Sequence, residues 1–287
     1  MSKERLFFCF PEANGDGLAL RWAHRTNSKA ALAQALSDPS IHLIEADVLF
    51  SAAEQTAIMA HPPSTSSDLS LALFLAMCLQ HLHSSSSAKG LKLDFKDQDS
   101  FTDAESLRNI REFLRNASAL ERNKSETNST GRLAAFWLNA DLCAGTEGVA
   151  PRIDADSFLL AADSLTKEFF GIVALSIGWT SWGGEEEELI SPQKAVENML
   201  QLLRSVNADV TFPVKASTLI RHQAELENLV ESSEKYSVTL WWLAEDEART
   251  QGIVQSLRVF REKLPKNKIL YDLPERILTQ AFPNRTG

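Results

Sequence analysis

Eight short apolar runs with strand character recur along this chain, each followed by a helical pattern, and that alternation restricts the fold more than any other feature. The strand candidates are Ala19–Arg25, His42–Phe50, Gly90–Lys96, Leu133–Asp141, Gly171–Trp179, Asp209–Lys215, Ser237–Leu243 and Lys268–Asp272. The helix candidates are Ser28–Leu36, Asp68–Leu82, Asp103–Asn116, Asp156–Glu168, Pro192–Val206, Thr218–Glu231, Glu245–Glu262 and Pro274–Gln280. Asn27, Ser67 and Ser191 with Pro192 are the expected caps of the first, second and fifth helices. Eight strand-helix pairs, with no long linker and no second composition regime, are the count of a closed parallel (β/α)8 TIM barrel, an α/β fold. A single domain over residues 1–287 is therefore expected, with 283–287 as a tail. The Ser/Asn/Glu-rich stretch Ala117–Arg132 reads as a mobile loop remote from any chemistry.

Charge inside these strands is the second constraint. In the run from Ile41 to Phe50, a period of two sends Ile44, Ala46 and Val48 to one face and Glu45 with Asp47 to the other. From Gly90 to Lys96 the same alternation sets Leu91, Leu93 and Phe95 against Lys92, Asp94 and Lys96. In such barrels the active site lies where strands end, so His24, Glu45, Asp47, Asp94 and Lys96 are expected at one mouth. Taking a carboxylate out of water costs several kcal/mol unless it is compensated, so three acids on neighbouring strands require a cationic partner. Glu45, Asp47 and Asp94 offer only oxygen, which suits one divalent cation, Mg²⁺ or Ca²⁺. The competing reading is a buried salt-bridge cluster with Lys92 and Lys96.

His24 and His61 end extended segments, and a pair of imidazoles there suits acid and base roles at neutral pH. His42 opens a strand at its far end, His81 and His83 end a helix, and His222 falls on a polar helix face. Lys96, Lys215 and Arg25 stand at strand ends as candidate phosphate contacts. Trp179 and Trp242 either wall the pocket or pack in the barrel top. Glu185–Glu188 reads as a solvated loop.

A net charge of -9 and a pI near 5.3 argue against capture of nucleic acid by a bulk positive field. Cys9, Cys78 and Cys143 are odd in number and far apart, so neither a disulfide framework nor a paired-cysteine metal site is expected. The run Leu6–Phe10 is too short for a signal sequence, and no apolar run is long enough to span a membrane. The expected location is cytoplasmic.

The ordered set His24, Glu45-x-Asp47, His61 and Asp94-x-Lys96 resembles the glycerophosphodiester phosphodiesterase superfamily, which includes the spider-venom phospholipases D. It is similar more closely to the menorin family, through Trp22-Ala23-His24 with Asn27-Ser28-Lys29, Ile44–Val48, Met59–Pro63 with Ser67-Asp68-Leu69, and Gly90–Lys96. The later blocks Trp137–Asp141, Leu175–Thr180, Phe212–Ala216 and Tyr271–Pro274 extend that likeness over nearly the whole chain. The resemblance implies a metal held by Glu45, Asp47 and Asp94, and an acid/base pair in His24 and His61. It adds Asn139 and Asp272 to Arg25, Lys96, Trp179, Lys215 and Trp242 as candidate substrate contacts. His61 precedes Pro62-Pro63, where glycerophosphodiesterases commonly carry Asp, so specificity for a glycerol headgroup is not implied. The expected activity is cleavage of a small-molecule, lipid or nucleotide phosphodiester, with water or an internal hydroxyl as nucleophile. The alternative is an inactive barrel that binds a protein partner.

Overall fold

The computed structural model describes residues 2–122, 131–182 and 188–285. In chain order they form α1 (Ser2–Cys9), β1 (Trp22–Ala23), α2 (Lys29–Ser37), β2 (Leu43–Ser51), β3 (Thr56–Met59), α3 (Leu71–Ser84), β4 (Lys89–Phe95), α4 (Gln98–Thr102), α5 (Ala104–Arg122), β5 (Leu133–Cys143), α6 (Ala155–Glu168), β6 (Val173–Trp179), α7 (Pro192–Leu203), β7 (Val210–Lys215), α8 (Leu219–Glu231), β8 (Tyr236–Trp241), α9 (Thr250–Lys263), β9 (Ile269–Asp272) and α10 (Glu275–Ala281). The sheet runs β1-β2-β4-β5-β6-β7-β8-β9, and β3 pairs antiparallel with β2 outside that path. Eight parallel strands taken in chain order, each with a helix after it, make this a (β/α)8 barrel fold. No described helix is long and apolar enough to cross a membrane.

Two compact units make up the chain, and residues 1–11, 21–140 and 152–175 form the first. Its core is built by alternation: Ile44, Ala46 and Val48 of β2 and Leu91, Leu93 and Phe95 of β4 are all buried. Along α5 the buried residues Ile110, Phe113, Leu114 and Ala117 recur at helical spacing, and this stripe lets the helix pack on its neighbour α3. Phe101 stacks on Phe158 with centroids 4.2 Å apart, and Phe95 meets Phe101 edge-on at 4.8 Å. Each buried ring contributes about 1.5–3 kcal/mol through its apolar area.

Residues 12–20, 141–151 and 176–287 form the second unit. Here β7 pairs with β8 from Val210↔Tyr236 to Lys215↔Trp241, and the hydroxyls of Thr211 and Thr239 satisfy each other at 2.8 Å in the interior. Arg261 grips both carboxylate oxygens of Asp16 while its guanidinium lies 5.4 Å from the Phe282 ring centroid.

Several local expectations are corrected. The first strand shrinks from Ala19–Arg25 to Trp22–Ala23: Ala19 ends a 3₁₀ turn capped by Asp16, and Arg25 turns left-handed at φ 54°. Ala117–Arg122 are helical and belong to α5, while 123–130 lie outside the described residues. The expected helix over Glu245–Glu262 begins as a 3₁₀ segment at Ala244–Arg249 before α9. Ser28 caps α2 and Ser70 caps α3, in place of Asn27 and Ser67, whereas Ser191 caps α7 as expected.

Candidate metal centre

Strand register gathers the acids. Asp47 of β2 pairs with Asp94 of β4, which pairs with Asn139 of β5, so three polar side chains form one row on one face. One layer away, Glu45 pairs with Lys92, and Lys92 with Trp137. A carboxylate oxygen from each of Glu45, Asp47 and Asp94 lies within 4.8 Å of the others. Glu45 and Asp47 are each 2% exposed, which makes their charges costly unless partners compensate.

Those partners are specific to each oxygen. Asn27 Nδ2 donates to Asp47 Oδ2 at 2.7 Å, and its Oδ1 accepts from the Asp47 backbone N–H at 2.9 Å. Asn139 Nδ2 donates to Asp94 Oδ1 at 2.6 Å. The other oxygens of the two aspartates converge on Lys96 Nζ, which is 2.9 Å from Asp47 Oδ1 and 2.5 Å from Asp94 Oδ2. Burial raises the Asp94 carboxyl, but the charges of Lys96 and Lys92 and the bonds from Lys96 and Asn139 outweigh it and hold the group below the usual range. Burial likewise works against the Lys96 ammonium, and the two aspartates overcome it and keep it charged well above the ordinary lysine range. Glu45 lies in a different environment: burial pushes its carboxyl up to about 7 against the opposing pull of His24.

His24 reaches this cluster from the loop directly after β1 and places Nδ1 3.6 Å from Glu45 Oε2. The next residue, Arg25, has φ of 54°, a left-handed conformation that is uncommon without glycine. That turn aims the Arg25 N–H at Glu45 Oε2, 2.8 Å away, and the Thr26 N–H at the Glu45 carbonyl. Arg25 thus serves the cluster through its backbone, and its side chain is exposed. His61 follows the β2–β3 hairpin, after whose return strand the Ala60 N–H meets the Asp47 carbonyl at 3.0 Å. The His61 Nδ1 lies 2.6 Å from the Pro62 carbonyl; a carbonyl only accepts, so Nδ1 is the donor.

The model of the Menorin N-terminal domain matches residues 16–278. The chain belongs to the menorin family. It is also similar to the human protein FAM151B, with 31% identity over 265 residues that span 91% of this chain and 84% of that protein.

All the acids, both histidines, Lys96 and Asn139 of this menorin-family chain lie in the first unit. Trp179, Lys215, Trp242 and Asp272 belong to the second, each with its own surroundings. Trp179 is buried, donates from Nε1 to the Ala195 carbonyl at 3.2 Å and meets Trp182 edge-on at 4.2 Å. Lys215 Nζ holds Glu245 Oε1 at 2.5 Å, the Arg276 guanidinium sits 5.5 Å from the Trp242 centroid, and Asp272 is buried at the end of β9. His222 is corrected: it is buried, not on a polar face, and its Nε2 is 3.1 Å from Glu188 Oε1. Glu188 is correspondingly tied down, and 183–187 lie outside the described residues. Asn27 is the site residue that the sequence reading missed, although it stands in the same short motif as His24.

The centre fits a hard divalent cation. Its donors are all oxygen, they are mutually close, and two of them already grip a positively charged atom.

Proposed function

We propose that this protein is a divalent-cation-dependent phosphodiesterase of the glycerophosphodiester phosphodiesterase superfamily. The observation that carries the reading is the convergence of three carboxylates, two of them turned by asparagine amides, beside His24. Glu45, Asp47 and Asp94 would hold the cation. When bound, it supplies charge stabilisation to a non-bridging phosphate oxygen. His61, with its Nδ1 proton committed to the Pro62 carbonyl, presents Nε2 as the base that deprotonates the nucleophile. His24, whose Nδ1 lies 3.6 Å from Glu45 Oε2, gives its proton to the leaving oxygen. Lys96 and Arg25 are the proposed phosphate contacts in the first unit, with Asn139 beside them. The nucleophile is water, giving hydrolysis, or a hydroxyl of the substrate itself, giving a cyclic phosphate.

The test is an assay with Mg²⁺ or Ca²⁺ over lysophospholipids, glycerophosphodiesters and nucleotide 2′,3′-cyclic phosphates. His24→Ala and His61→Ala should each lower turnover on the best substrate by about 10²–10⁴-fold. Wild-type protein that turns over none of these classes, or single variants at wild-type rates, would favour a barrel that acts by binding a protein partner.

A further inference from the structure

Asp47 and Asp94 neighbour each other in the β2–β4 register, and each has one oxygen already engaged. Asn27 takes Asp47 Oδ2 at 2.7 Å, and Asn139 takes Asp94 Oδ1 at 2.6 Å. The two amides therefore rotate the carboxylates so that Asp47 Oδ1 and Asp94 Oδ2 point at a common place. That place is held by Lys96 Nζ, 2.9 and 2.5 Å from the two oxygens. A divalent cation draws carboxylate oxygens to about 2.0–2.6 Å, and an ammonium sharing the same two oxygens would meet its full repulsion. The positions compete.

We infer that Lys96 is the resident counter-ion of the acid cluster, and that a divalent cation enters by displacing its ammonium, so that the protein loads its cation first and an anionic phosphate second. The inference rests on the metal reading above and adds an order of events to it. The backbone can stay in place during the exchange, because the Lys96 N–H is fixed to the Val48 carbonyl at 2.9 Å. The side chain has a way out, since it is 22% exposed. While two aspartates neutralise it, Lys96 offers an incoming anion little. Once displaced, it is a tethered positive charge beside the cluster. Cation binding then raises the affinity for phosphate, and phosphate raises the affinity for the cation by the same factor.

The experiment uses the full chain stripped with a chelator. MgCl₂ or MnCl₂ is titrated calorimetrically into wild type and Lys96→Met. In parallel, wild type is labelled with an amine-reactive succinimidyl ester with and without cation, and the Lys96 peptide is quantified by mass spectrometry against that of Lys194, which is 59% exposed. Lys96→Met should bind the cation at least about tenfold more tightly, because the competing charge is gone. In wild type the cation should raise labelling of Lys96 severalfold and leave Lys194 unchanged. Tighter binding with unchanged or reduced Lys96 labelling would overturn the inference, since loss of a nearby charge would then account for the affinity. Equal affinity in both proteins would also overturn it while leaving the metal reading intact. Absence of cation binding to both proteins, by calorimetry and by equilibrium dialysis, would end both. Should Lys96→Met not fold, the labelling of wild type decides by itself.

Discussion

Exchanging Asn27 for Asp replaces one NH₂ group by an oxygen, and the structure says what that atom meets. Asn27 Nδ2 is 2.7 Å from Asp47 Oδ2, so the variant sets two carboxylate oxygens at that separation. At an effective dielectric of about 20, two unit charges 2.7 Å apart repel by about 6 kcal/mol, an upper bound that rotation or proton uptake reduces. The lost bond to a charged acceptor was worth about 1.5–3 kcal/mol. The second contact, from the Asp47 N–H to Oδ1, survives. Chelated Asn27→Asp should therefore lose about 3 kcal/mol or more. Unfolding entropy near 2.1 cal/mol/K per residue gives about 0.6 kcal/mol/K for 287 residues, so the melting temperature should fall by about 5 °C. Asn27→Ala removes both bonds and leaves the buried Asp47 N–H without its acceptor, a loss of about 2–4 kcal/mol. The two variants part when Mg²⁺ or Ca²⁺ is added: the extra carboxylate of Asn27→Asp adds to the charge that the cation neutralises, and the alanine does not. Scanning calorimetry with chelator and with saturating cation reads both numbers. A chelated Asn27→Asp protein that melts with wild type, or cation rescue no larger than in Asn27→Ala, would refute the reasoning.

Three further outcomes are expected. Asp47→Asn should lose most of the cation-induced rise in melting temperature seen in wild type, and an equal rise in both would remove Asp47 from the ligand set. Glu45 keeps its proton to about pH 7 in the folded, chelated protein but loses it near 4.5 when unfolded. The folded state then binds more protons across that window, so stability should fall as pH rises through it, by up to about 3 kcal/mol. Urea melts of Glu45→Gln should lack that slope. Gly145→Ala would put Cβ 1.4 Å from the Ser181 carbonyl oxygen, a clash with backbone, whereas Gly171→Ala meets open space and bears only the strain of φ +81°. Gly171→Ala should cost about 1–2 kcal/mol. Gly145→Ala should cost clearly more, and comparable melting temperatures would contradict the packing at Gly145.

Period-two alternation is why the acid face could be read without coordinates: Glu45 and Asp47 interrupt the apolar run of β2, and Lys92, Asp94 and Lys96 interrupt the run from Gly90 to Lys96. The barrel was legible for the same reason, since each strand run is followed by a helical pattern. Asn27 was not, because Asn27 and Ser28 are both good helix caps, and nothing local shows that Asn27 is spent on a residue 20 positions away. The short strand Thr56–Met59 carries no clear alternation and owes its existence to pairing with β2, so the hairpin that precedes His61 became visible only in three dimensions. His222 was a misreading of an available signal. It stands three residues after Leu219 and four before Leu226, both buried, which is the apolar stripe of α8.

The row Asp47, Asp94 and Asn139 exists in one alignment of β2, β4 and β5 alone. A slip of β4 by one residue would bring Leu93 or Phe95 level with Asp47 and send the Asp94 carboxylate to the opposite face. A cation held by Glu45, Asp47 and Asp94 would thus add free energy to the correctly zipped sheet and none to its shifted competitors. A cation present while the chain is collapsing would serve as a proofreader of strand alignment, a role finished before any substrate arrives.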